Sequence, residues 1–117
     1  MSPVHGFSTR LVSWLDQRFS TAPIMYALGK RYYKRNRFGD AIKAFAQAEA
    51  GLALRLGPDH PHVIAAVVNL AASYDASGDP ATACRHYARA LDAMQRTEQM
   101  ATPLAQRIRV FIAENCK

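Results

Sequence analysis

An all-α fold of about six stacked helices is predicted by this chain, and three observations carry the prediction. Apolar residues recur at spacings of three and four along most of its 117 residues, the period of one helix face. No stretch alternates long enough to read as a strand. A packing pattern also repeats: Leu28 and Leu70 stand 42 residues apart, and the same offset pairs Gly29 with Ala71, Tyr32 with Tyr74, Ala41 with Ala83, Phe45 with Tyr87 and Ala48 with Ala90. Small and apolar positions matched at a fixed interval mark an array in which each unit buries its apolar face against the next.

The elements follow in order. Residues Ser8 to Ser20 form a first helix whose broad apolar face, with Phe7, Leu11, Val12, Trp14, Leu15 and Phe19, suits a cap over the open end of the array; a partner or a membrane surface are its alternative uses. A second helix runs from Pro23 to Asn36 on Leu28 and Tyr32. The third, Phe38 to Leu56, places Ala41, Phe45, Ala48 and Leu52 on one face. Pro58 and Pro61 then bracket Asp59 and His60 in a short loop. The fourth, Pro61 to Ser77, carries Val63, Val67, Leu70 and Tyr74 and stops at Gly78. The fifth, Pro80 to Gln99, has Asp79 as its cap and a proline at its first position, where the missing N–H costs nothing. Thr102 and Pro103 repeat that arrangement for the sixth, Pro103 to Asn115.

The residues between Leu28 and Ala48, those between Asn69 and Ala90, and above all the linker Leu56-Gly57-Pro58-Asp59-His60-Pro61 resemble the tetratricopeptide repeat in its longer, kinesin-light-chain-like variety. Asn36 stands where a glycine is usual, and Pro80 replaces the usual aromatic. The resemblance implies a right-handed superhelical stack of antiparallel helix pairs, an α-solenoid, in a single domain over residues 1–117. Its parts are a capping helix at 8–20, a first repeat at 22–61, a second at 62–99, and a half repeat or C-terminal capping helix at 103–115. The apolar residues Ile108, Val110, Phe111 and Ile112 give that last helix two uses, packing on the preceding repeat or pairing with a second copy of the chain.

Charge points to the class of partner. Five of the six net positive charges fall within residues 1–40, where Arg10, Arg18, Lys30, Arg31, Lys34, Arg35 and Arg37 outnumber Asp16 and Asp40. Such a balance suits an acidic peptide, a nucleic acid or a lipid headgroup, or serves as a solubilising face. Cys84 and Cys116, the only two cysteines, do not form a secreted disulfide framework, so reduced thiols in a cytoplasmic protein are expected. The apolar start is broken by charges and no stretch approaches membrane-spanning length; a membrane is not an expected partner.

The family resemblance implies a concave groove lined by the first helix of each repeat. Its register gives Tyr26, Lys30, Tyr33 and Lys34, then Val68, Asn69, Ala72 and Asp75, then Arg107, Val110 and Phe111. Helical spacing independently puts residues 26, 30, 33 and 34 on one face. The partner-binding set is therefore Tyr26, Lys30, Tyr33, Lys34, Asn69 and Arg107. Family members that clamp a carboxylate use an asparagine at the register of Asn69 and a basic residue at that of Arg107. Tyr26 and Lys30 replace the lysine and asparagine of the first repeat, so acidic or aromatic-acidic segments are expected rather than a free C-terminus. The other reading of Asn69 is an amide satisfied locally.

These features predict a non-catalytic adaptor or scaffold without cofactor or metal. The alternative is a nucleic-acid-binding or regulatory helical-repeat protein using the run Lys30-Arg31-Tyr32-Tyr33-Lys34-Arg35-Asn36-Arg37, whose cations would neutralise phosphates. The repeat commits Tyr32 to the core, and cations near a helix C-terminus favour the macrodipole. Asp59, His60 and His62 cluster in the linker, and Cys84 lies two residues from His86. Neither group has the spacing of a metal site or of a nucleophile with its base.

Overall fold

The computed structural model describes residues 21–116, and these are all helical apart from their connections. The helix predicted at Ser8 to Ser20 lies outside the described residues. Helix α1 covers residues 21–34. It is followed by α2 (Phe38–Leu56), α3 (Pro61–Ala76), α4 (Pro80–Arg96) and α5 (Pro103–Asn115). Successive helices pack together, α2 on α3, α3 on α4 and α4 on α5.

The 42-residue offset recurs in the backbone itself. At the end of α1 the N–H of Asn36 bonds the Tyr33 carbonyl and that of Arg37 bonds the Tyr32 carbonyl; at the end of α3 Gly78 bonds Asp75 and Asp79 bonds Tyr74. Asn36 (φ 60°) and Gly78 (φ 95°) are both left-handed, the conformation in which the freed carbonyls of a helix end are recaptured. Asparagine tolerates that region, which is why it substitutes for the glycine expected there. Helix starts repeat likewise. Thr102 accepts from the N–H of Ala105, and His60, at the same register one repeat earlier, accepts from the N–H of His62. Asp79 accepts from Thr82.

The main core combines Leu52 of α2, Val63, Ile64 and Val67 of α3, Ala90, Ala93 and Met94 of α4, and Ala105 and Ile108 of α5. A second cluster joins Ala41, Phe45 and Leu70. The matched alanines Ala41, Ala48, Ala83 and Ala90 are all buried, and Gly29 and Ala71 are buried where they face the paired helices. Small side chains at these points bring helix backbones close enough for Phe45 to fill the space between them. On the outer side two cross-helix ion pairs fix the spacing, Glu49 of α2 with Arg89 of α4, and Asp59 of the linker with Arg96 at 2.8 Å.

Four expectations change, the first being that α1 ends at residue 34 rather than at Asn36, whose left-handed backbone closes the helix. Helix α4 ends at Arg96 rather than Gln99, because Glu98 turns left-handed (φ 58°) and the Gln99 N–H closes onto the Met94 carbonyl. Helix α3 stops at Ala76, one residue early. The cysteines, expected as reduced thiols, are joined as a Cys84–Cys116 disulfide with Cα atoms 5.8 Å apart. The reason is topological: α5 folds back antiparallel along α4, which carries its C-terminal end to the first turns of α4. No helix among the described residues is long and apolar enough to cross a membrane.

Candidate functional site

Helix α1 presents Tyr26, Lys30, Tyr33 and Lys34 along one face, but their surroundings differ. Tyr26 is half-buried, its ring edge-on to Phe45 at 5.7 Å. Its hydroxyl accepts a 2.8 Å hydrogen bond from Asn69 Nδ2. Lys30 lies over the Tyr26 ring, 5.7 Å from the centroid, a cation–π contact. Tyr33 is exposed and rests edge-on against Phe38 at 5.3 Å. Lys34 is exposed.

Asn69, the amide expected to hold a peptide backbone, has both of its N–H bonds engaged. One goes to Tyr26 and the other to the Ala65 carbonyl at 3.0 Å. The Asn69 backbone carbonyl accepts from the buried Ser73 hydroxyl. The amide thus ties α1 to α3, and its donors reach a ligand only by giving up those bonds; Oδ1 keeps acceptor capacity.

A separate hollow lies farther along the chain. Val68 of α3, Tyr87 of α4, and Leu104, Arg107, Ile108 and Phe111 of α5 line an open cavity of about 360 Å³. The Tyr87 and Phe111 rings are tilted together at 4.7 Å. Three residues predicted for the groove, Val68, Arg107 and Phe111, are brought together here. Burial first, then the negative charge of Asp75 and the Tyr33 phenol, push the Tyr87 hydroxyl above the usual tyrosine range. Arg107 is exposed at the cavity and makes no ion pair or hydrogen bond among the described residues. Val110 points to solvent, 48% exposed, and does not line the cavity.

Tyr87, read from the sequence as core, packs partly buried against the core and also lines the cavity. Its register equals that of Phe45, which is 1% exposed, so it reads as core. The hydroxyl was the available signal, since a phenol in place of a phenyl needs access to water or a partner. Leu104 and Ile108 were also not assigned to the groove.

The titratable groups singled out in the linker and in α4 have structural partners. Asp59 receives two hydrogen bonds from Arg96, at 2.9 and 2.8 Å, which hold its carboxyl below the usual range. His60 caps α3. His86 stacks on Tyr74 with centroids 5.3 Å apart and faces Arg89, whose Nη2 lies 3.2 Å from its Nδ1. Cys84 is in the disulfide. Among the described residues no group of three His, Cys, Asp or Glu side chains is placed to hold a metal ion.

No family model matches the chain, and no curated protein matches it in sequence.

Proposed function

We propose that this chain is a protein–protein interaction module, an adaptor or scaffold without catalytic function. It is built as a tetratricopeptide-like right-handed superhelical stack, acts in the cytoplasm, and binds an acidic or aromatic-acidic segment of a partner protein in its groove. The observation that carries this reading is Arg107, without a carboxylate partner among the described residues, at an apolar cavity walled by the Tyr87 and Phe111 rings. An apolar or aromatic side chain fits the cavity, and a neighbouring carboxylate is attracted by the guanidinium. Lys30 and Lys34 on α1 extend the same charge preference. The repeated helix-end hydrogen bonds support the stacked architecture, since the same geometry returns once per repeat.

The binding set is narrower than the six residues read from the sequence. Tyr26 and Asn69 position α1 on α3 through their mutual hydrogen bond, whereas Lys30, Tyr33, Lys34 and Arg107 present groups to solvent. The test is anisotropy titration of labelled aromatic-acidic peptides against neutral scrambles. Lys30→Glu with Lys34→Glu, and separately Arg107→Glu, should weaken binding at least about tenfold while the circular dichroism spectrum is retained, each charge contact being worth about 1.5 kcal/mol or more. Unchanged affinity in folded variants rejects the groove. The exposed Arg31, Lys34 and Arg35 favour the nucleic-acid alternative, which predicts oligonucleotide binding that falls steeply with salt.

A further inference from the structure

We infer that the Cys84–Cys116 disulfide is a reducible latch on α5: the helix is docked on α4 while the bond is closed and is released as a unit when a dithiol reductant opens it. The inference starts from how little else holds this helix. Of helices α2 to α4, only α4 brings its backbone close to that of α5. Helix α5 buries only Ala105 and Ile108, whereas α3 buries seven residues, Val63, Ile64 and Leu70 among them. Leu104 and Ile112 add partly buried contacts with the same core, and its remaining ties are the Tyr87–Phe111 ring contact and a hydrogen bond from Arg109 to the Met100 carbonyl at 2.6 Å. Of these only Ile112 reaches into the last turn. Ala113, Glu114 and Asn115 are exposed, and beyond them Cys116 is covalently fixed to Cys84.

The helix is therefore fastened at both ends. Residues 97–102 tie its start to the end of α4, and the disulfide ties its end to the first turns of α4. The closed loop has a sequence separation of 32. Chain freedom returned on opening a loop of that size shifts the docking equilibrium by roughly a few hundredfold. Buried Ile108 and Ala105, with Leu104 and Ile112 partly covered, supply an effect of similar order, so the covalent tie weighs as much as the packing in keeping α5 down.

Both cysteines are only partly buried, which leaves the bond open to exchange. The thiolate of a dithiol attacks one sulfur, forming a mixed disulfide and expelling the other as a thiolate. The second thiol of the reagent then displaces the first cysteine. Two electrons and two protons end on Cys84 and Cys116, and the dithiol leaves as its own disulfide. Disulfides in a reducing cytoplasm are characteristically transient and redox-sensing, which matches the setting proposed above. Leu104, Arg107, Ile108 and Phe111 all belong to α5, so release removes one wall of the cavity. That consequence rests on the peptide-binding reading, whereas the latch does not.

The experiment is amide hydrogen exchange with mass spectrometry on the full chain, oxidised and after treatment with dithiothreitol, with the Cys84→Ser/Cys116→Ser variant as a second reduced form. The latch predicts protected amides across 103–115 in the oxidised protein and exchange faster by roughly a few hundredfold there on reduction, with α2 and α3 unchanged. Both reduced forms should agree. Unchanged protection of α5 overturns the proposal, as does simultaneous loss of protection in all helices, which would make the bond a staple of the whole domain. Alkylation of two free thiols in protein purified under air overturns it as well. No ligand enters the measurement, so its outcome is separate from that of the peptide titration.

Discussion

Gly29 lies directly against the ring of Phe45: a Cβ built on the glycine would come within 2.7 Å of two ring carbons. One repeat later the same two registers hold Ala71 and Tyr87, where the ring has turned toward Phe111. The first repeat therefore uses a glycine to seat a fully buried phenylalanine. The second accepts an alanine because its ring forms the cavity wall instead.

Gly29→Ala is expected to destabilise the protein by about 1–3 kcal/mol, the usual cost of forcing a buried ring off its position. The gain in helix propensity, about 1 kcal/mol at most, offsets only part of that. Urea denaturation of the two proteins measures the difference. Equal midpoints would show that the Phe45 ring moves aside freely.

The Tyr26–Asn69 hydrogen bond joins residues 43 apart in sequence. Tyr26→Phe leaves a partly buried amide donor unpaired and should cost about 1–2 kcal/mol. Asn69→Ala should cost a similar amount. A double-mutant cycle by chemical denaturation is expected to give a combined loss smaller than the sum; strict additivity would show the two act independently.

His86 gives the fold a pH dependence. Burial foremost, and then the positive charge of Arg89, lower its pKa from the ordinary value of 6.5. In the window between that value and the lower folded one, the unfolded chain binds more proton than the native state, so stability rises with pH there. The contribution is fully present above pH 6.5 and is lost progressively as pH falls through the folded value. Melting temperatures between pH 8 and 5 should decline over this range, and His86→Phe should flatten the decline. A decline of the same slope in the variant would assign it to other groups.

Glu98 sits left-handed at φ 58° with no glycine to relieve it. Replacing it by glycine removes a backbone conformation that costs an L-residue about 1–2 kcal/mol, against the entropy glycine gives back to the unfolded chain. Glu98→Gly should stabilise by about 0.5–1 kcal/mol in thermal or urea melts. A loss of stability would place the favourable contribution in the glutamate side chain.

Much of this fold is legible in the sequence because its signals are local. Asp79-Pro80 and Thr102-Pro103 mark helix starts through a cap and a proline, and both caps form as expected. His60 was also recoverable, since it occupies the register of Thr102, although histidine is an unusual cap. The end of α4 was not legible. Its terminator is a glutamate, and nothing in side-chain chemistry announces a left-handed glutamate as glycine or asparagine would. Register placed Val68, Arg107 and Phe111 on one surface, and they line one cavity. It had no means of showing that Asn69 is already hydrogen-bonded or that Tyr87, packed on the core, also lines the cavity.

The sequence by itself determined the helices, their repeat of 42 residues and the small residues that let them approach, because period, capping and residue volume act over a few positions or recur at a fixed one. Tertiary structure decided what distant side chains do with one another. Asn69 spends its donors on Tyr26, Glu49 finds Arg89, and Cys84 finds Cys116 only after the helices take up their spacing and direction. Such pairings depend on a few ångströms of interhelical geometry, a quantity that no single position encodes.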